Sequence, residues 1–247
     1  MKFNKENPLK VFTAFSGYDS QCLALERLKK YDKDFEYNLV GWSEIDKYAI
    51  QAHNVLFPEY KDRNFGDISK VDWGQVPDFD LFTFSSPCQD FSQSGLQRGG
   101  EEGSGTRSSL LWECRKAILA KKPKYLMLEN VKALTSKKFM PLFQKWLDEL
   151  ESYGYANYWK VLNATDFGVP QNRERVFCIS ILKTEDEPIP IFHFPQPFPF
   201  EKRLKDIVER NEDGSAKKVD EKYYLSAKAL EYFSRVDEDK THGHNFK

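Results

Sequence analysis

Between residue 10 and about residue 182, short apolar runs alternate with stretches whose apolar residues fall at helical spacing, and this alternation constrains the fold most tightly. The apolar runs at residues 10–14, 37–42, 80–84, 125–128, 158–162 and 175–182 read as strands. Residues 20–28, 47–56, 108–120 and 139–153 carry the helical pattern between them. Strands separated by helices predict parallel pairing through crossovers, and so a doubly wound, mostly parallel α/β sheet. Prolines recur in an aromatic segment at 188–199, which sets the expected domain boundary: 1–187 as the sheet domain, 188–247 as a linker followed by helical segments and a charged end.

In such a sheet, ligands bind beyond the carboxyl ends of the strands, so the residues following each strand are the place to look for chemistry. Here they are Phe15-Ser16-Gly17-Tyr18-Asp19, Ser43-Glu44-Ile45, Ser85-Ser86-Pro87-Cys88-Gln89 and Glu129-Asn130-Val131. All four groups are expected at one edge. Residues 89–106, rich in Ser, Gly, Gln and Glu, read as a loop directly after Cys88, either a lid over substrate or a plain connector.

The turn after the first strand lacks the full Gly-x-Gly-x-x-Gly pattern and carries Asp19 where a phosphate-binding loop would offer bare backbone. A carboxylate there repels phosphate. Glu44 is placed to accept hydrogen bonds from ribose hydroxyls, and Asp67, before Ile68, from an adenine amino group; taken singly, each also reads as a solvated loop charge. A nucleoside without phosphate fits this set, and S-adenosylmethionine, with its sulfonium and ammonium cations, is such a ligand.

Of the four cysteines, Cys22, Cys114 and Cys178 sit in apolar settings where the residue acts as a small hydrophobe. Cys88 does not. It follows Pro87, which fixes the backbone, in a loop leaving a buried strand, and a thiolate so presented is a nucleophile. The cysteines lack the paired spacing of zinc sites, and His242 and His244 on a polar terminus have no third ligand nearby, so no metal is expected. His53 reads as a residue of a helix surface.

Taken in order, these motifs resemble those of the DNA cytosine-C5 methyltransferases of bacterial restriction-modification systems. Phe15-Ser16-Gly17 resembles the first cofactor motif, Glu44 and Asp67 the ribose- and adenine-binding acids, with Ile45 and Ile68 beside them. Pro87-Cys88-Gln89, Glu129-Asn130-Val131 and Gln171-Asn172-Arg173-Glu174-Arg175 match the family's Pro-Cys-Gln, Glu-Asn-Val and Gln-x-Arg-x-Arg motifs. The resemblance implies a Rossmann-like S-adenosylmethionine-dependent methyltransferase fold acting on double-stranded DNA. It implies that Cys88 adds to C6 of a flipped-out cytosine, that Glu129 holds the N3 and amino edge, that Arg175 binds O2, and that Arg173 helps hold the catalytic loop. It also makes Arg98 and Arg107 candidate phosphate contacts.

Two departures accompany it. Asp19 stands where the family has a second glycine, and no target-recognition region or late Gly-Asn-Ser motif follows Tyr223-Tyr224-Leu225-Ser226. The expectation is therefore a chain that is inactive alone, whose recognition region comes from a missing segment or a second polypeptide. A cofactor-binding subunit of a split enzyme and a tRNA cytosine-C5 methyltransferase remain as alternatives, and a nicotinamide-dependent oxidoreductase would leave Pro87-Cys88-Gln89 without a role.

The net charge of -1 gives no global attraction to nucleic acid, so any basic surface is local. No apolar run approaches the roughly 20 residues that span a bilayer, and the polar start carries no signal segment, which reads as cytoplasmic.

Overall fold

A computed structural model describes residues 2–87, 100, 102–186, 188, 190–198, 201 and 203–238. Contacts divide the chain into two compact units, Met1–Phe200 and Glu201–Lys247. The first is built on six strands: β1 (Leu9–Ala14), β2 (Tyr37–Ser43), β3 (Leu81–Phe84), β4 (Tyr125–Val131), β5 (Tyr155–Asn163) and β6 (Glu174–Leu182). Their order across the sheet is β2-β1-β3-β4-β6-β5.

The first four strands run parallel, and every residue of β1 except Lys10 is buried, as expected for a strand covered on both faces. Val11 and Leu39 pack with Cys22 of α1 (Ser20–Tyr31), with Ile50 of α2 (Lys47–Leu56) alongside. Phe12 and Phe82 point the other way, into a core with Ile118 of α3 (Cys114–Lys121) and Phe143 and Trp146 of α4 (Met140–Ser152). Helices therefore cover both faces. The chain moves from β1 outward to β2 and then returns past β1 to β3, so a crevice opens between the carboxyl ends of β1 and β3, where ligands of such sheets bind.

The last two strands depart from parallel pairing. β6 is antiparallel to both β4 and β5, because only residues 164–173 join β5 to β6. A parallel crossover takes about a dozen residues or more, usually with a helix, and this link holds one short 3-10 turn, Ala164–Phe167. The reversal puts the start of β6 at the same edge as the ends of β1 to β4. Arg175 pairs with Val131, and Phe177 with Glu129.

Three further expectations change in detail. The helix expected at 108–120 is a 3-10 segment, Arg107–Glu113, running into α3. Residues 190–198 pack on the first unit: Tyr158 Oη donates to Pro190 O, and Phe198 meets Phe167 edge-on with centroids 6.0 Å apart. His53 is fully buried, not on a helix surface, its ring stacked 3.7 Å from Trp42.

The second unit holds a short helix, α5 (Leu204–Ile207), a turn closed by an Arg210–Ala216 bridge, and α6 (Ala227–Glu238). Among the described residues no helix is long and apolar enough to cross a membrane.

Candidate active site

The turn leaving β1 is built from unusual backbone. Phe15, Gly17 and Asp19 take positive φ of 54, 59 and 67°, and only Gly17 does so without steric penalty. Asp19 tolerates the left-handed region better than most residues and caps α1, its side chain accepting from Cys22 N at 3.0 Å. The turn that the missing glycine put in question is thus formed. It is tied to β2 by Gly17 N, which donates to Glu44 Oε2 at 2.9 Å, while Glu44 Oε1 accepts from Ile45 N and Asp46 N at 2.8 and 2.9 Å.

Glu44 owes its place to a residue the sequence did not mark. Asn64 Oδ1 accepts from Glu44 N at 3.2 Å and from Gly66 N at 2.9 Å, and Asn64 Nδ2 donates to Glu44 O at 3.1 Å. Asn64 therefore clamps the Glu44 turn to the one carrying Asp67. The Asp67 carboxyl is held below its usual range by hydrogen bonds from Ser69 Oγ and Ser69 N, with Lys70 adding to them.

Two cavities open along this edge. The first, about 540 Å³, is lined by Phe15, Glu44, Ile45, Asp67 and Ile68, with Ser85 and Pro87 across from them. Its charged lining, Glu44, Asp46 and Asp67, is all acidic, which suits a cationic nucleoside and not a phosphate. The second, about 780 Å³, is lined by Glu129, Arg173 and Arg175 and by Phe15, Ser16 and Ser85. Phe15 and Ser85 thus line both.

In the second cavity Arg175 Nε stands 3.1 Å from Glu129 Oε1, with the two side chains 23% and 22% exposed. Arg175 Nη1 also donates to Glu174 O at 2.8 Å, which fixes the guanidinium plane. Arg173 is more exposed; its backbone N donates to Asn163 Oδ1 at 3.0 Å. Tyr18, Gln21, Asn163, Phe167 and Gln171 complete much of the wall. Of these, Tyr18 and Gln171 stood within segments read from the sequence, and Gln21, Asn163 and Phe167 reach the cavity through tertiary packing.

Asn130 lines neither cavity. It is 2% exposed and its Nδ2 donates to Ser86 O and Ser86 Oγ at 3.2 and 3.3 Å, so it holds the strand that leads into Pro87. Ser108 Oγ donates to Pro87 O at 2.8 Å. Cys88, Gln89, Arg98 and most of the loop expected at 89–106 lie outside the described residues.

The other three cysteines are free and buried. Burial pushes the thiols of Cys22 and Cys114 far up and that of Cys178 to about 12, so none of them is a thiolate near neutral pH.

A profile of the C-5 cytosine-specific DNA methylases matches residues 9–247. The type II methyltransferase M2.ScrFI of Lactococcus lactis subsp. cremoris is 41% identical over 268 aligned residues, covering 88% of this chain and 70% of that protein. The type II methyltransferase M.NlaX of Neisseria lactamica is 37% identical, covering 96% of this chain and 69% of its own length.

Among solved structures, the Entamoeba histolytica methyltransferase EhMeth superposes with a TM-score of 0.67 at 19% identity over 91% of this chain. A putative DNA modification methyltransferase from an Escherichia coli prophage gives 0.60 at 22% over 80%. The chain spans 65% and 53% of those two structures, and at such identities they speak to the fold alone. The family profile and the two bacterial relatives go further: this chain belongs to the C-5 cytosine-specific DNA methylase family.

Proposed function

We propose that this chain methylates C5 of cytosine in double-stranded DNA, binding S-adenosylmethionine in the acidic cavity and an extruded cytosine in the cavity of Glu129 and Arg175. The observation that carries the reading is the Glu129–Arg175 pair, held 3.1 Å apart in a cavity that shares Phe15 and Ser85 with the acidic one. A base and a methyl donor in these two spaces would be neighbours.

S-adenosylmethionine supplies an electrophilic methyl group, and Glu44, Asp67 and the Phe15–Gly17 turn are the residues that would hold it. The acidic lining and the open space above Gly17 fit a nucleoside with cationic groups. In the second cavity Glu129 holds the N3 and amino edge of the cytosine through a shared proton, and Arg175 donates to O2. The Cys88 thiolate forms a bond to C6, which makes C5 a carbon nucleophile. After C5 is methylated, loss of its proton and breaking of the sulfur–C6 bond restore the aromatic ring and free Cys88. Addition to C6 comes from above the ring plane, so the base must leave the stack, at a cost of a few kcal/mol. The reading places the protein in the cytoplasm, within a restriction-modification setting.

The test is a 5-fluorocytosine trap. DNA carrying the target site with 5-fluorocytosine, incubated with the full gene product and S-adenosylmethionine, is expected to form a covalent adduct that survives denaturation, because fluorine cannot leave as a proton does. Cys88→Ser is expected to form none. An adduct that persists in Cys88→Ser, or one formed only on tRNA, overturns the assignment.

A further inference from the structure

Behind the cofactor turn lies a buried polar cluster that the methyl-transfer chemistry leaves unused. Thr13, Asp19 and His53 are each 0% exposed. Thr13 Oγ1 donates to Asp19 Oδ2 at 2.8 Å, Cys22 N donates to Asp19 Oδ1 at 3.0 Å, and His53 Nε2 stands 3.7 Å from Oδ2. The three residues come from β1, the α1 cap and α2, so the carboxylate joins three elements at the root of the turn.

A carboxylate shut away from water is kept only where donors or opposite charge surround it. Here those partners are specific. The His53 ring is fixed by its stack on Trp42 and by Phe57, with centroids 5.3 Å apart, and neither ring nitrogen has a hydrogen-bond partner among the described residues. Asp19 N in turn donates to Ser16 O at 2.7 Å, which closes the turn whose Gly17 N reaches Glu44. Left-handed backbone at non-glycine residues persists only where its surroundings over-determine it, and this turn has two such residues, Phe15 and Asp19.

We propose that Asp19, held by Thr13 Oγ1 and Cys22 N with His53 3.7 Å away, is a positioning residue for the cofactor turn. It locks the left-handed backbone that presents Phe15 and Gly17 to the acidic cavity, and so sets cofactor affinity more than the methyl-transfer step. This rests on reading that cavity as the S-adenosylmethionine site. The carboxylate does by hydrogen bonding what a second glycine does by freedom of backbone, and His53 is its buried partner on the neighbouring helix.

The test is calorimetric titration of S-adenosylhomocysteine into the full chain and into Asp19→Asn, His53→Phe, Thr13→Val and their combinations. Asp19→Asn is expected to weaken binding tenfold or more and to raise KM for S-adenosylmethionine far more than it lowers kcat. His53→Phe and Thr13→Val are expected to weaken binding by smaller factors and to add little in the Asp19→Asn background. Unchanged affinity in Asp19→Asn, equal losses from His53→Phe in both backgrounds, or a fall in kcat with affinity kept overturns the proposal.

An NMR arm needs no variant that must fold: the side-chain resonances of His53 in the unaltered protein are expected to shift when S-adenosylhomocysteine is added. Resonances that stay fixed while the ligand binds overturn the proposal and leave the cofactor reading standing. A folded, unaltered chain that binds no S-adenosylhomocysteine overturns that reading and this proposal with it.

Discussion

On the proposed reading, replacing Glu129 by Gln separates catalysis from stability at the Glu129–Arg175 pair. The amide has nearly the same shape, and its oxygen can still accept from Arg175 Nε, now 3.1 Å away, so the contact is weakened and not lost. A hydrogen bond to a charged group contributes about 1.5–3 kcal/mol, and with both side chains a little over a fifth exposed the expected loss of stability is at the low end, about 1–2 kcal/mol. For a domain of this size that lowers the melting temperature by roughly 2–8 °C.

The catalytic loss is expected to be much larger. Gln can hydrogen-bond the cytosine edge, but it cannot share a proton with N3 as the ring accepts sulfur. Positioned proton transfer contributes about 10²–10⁴ in rate, or about 3–5 kcal/mol of barrier. Methyl transfer from tritiated S-adenosylmethionine to DNA, measured beside thermal melts, reads both quantities. Transfer within tenfold of the unaltered protein, or a loss that only tracks the fraction unfolded, refutes the reasoning.

Other perturbations test the frame around the site. Asn130→Ala removes the Asn130 side-chain partner of Ser86 O and Ser86 Oγ at a buried position and of Val131 N at a half-buried one. About 1–3 kcal/mol per unsatisfied group is expected, together with a slower rate of 5-fluorocytosine adduct formation; an unchanged melt and adduct rate would contradict the role given to Asn130. Gly41→Ala puts a Cβ at 2.7–2.9 Å from the rings of Phe12 and Phe65, inside a packed aromatic core. Overpacking by about 1–3 kcal/mol follows, read as a lower denaturation midpoint at constant slope.

The buried thiols predict alkaline weakening. Cys178, raised to about 12, stays protonated in the native state while the unfolded thiol ionises near pH ~8.5. Its contribution is complete below that pH and is lost as pH rises toward 12, by about 1.4 kcal/mol per pH unit. Stability measured from pH 8 to 11 is expected to fall less steeply in Cys178→Ala, and identical slopes would refute the assignment.

Much of the site was legible because its chemistry is local to the ends of strands. Phe15 to Gly17, Glu44 and Glu129 come at or directly after the ends of apolar runs, and a parallel sheet gathers such residues at one edge whatever the packing around them. Cys178 was legible as a space-filling residue for a similar reason, since Phe177 and Ile179 flank it in sequence.

What only the tertiary structure decided are relations between residues far apart in the chain. Periodicity marks a strand but not its direction, and the reversal of β6, which delivers Arg175 to Glu129, follows from a link too short for a crossover. Asn64 gave no signal because its hydrogen bonds reach across 20 residues to Glu44. His53 looked like a surface residue because helical spacing shows which residues share a face but not what covers that face. Here Trp42, the Asp19 turn and Phe57 cover it, and the buried Asp19 carboxylate has its donors, Thr13 Oγ1 and Cys22 N, because the fold brings them to it.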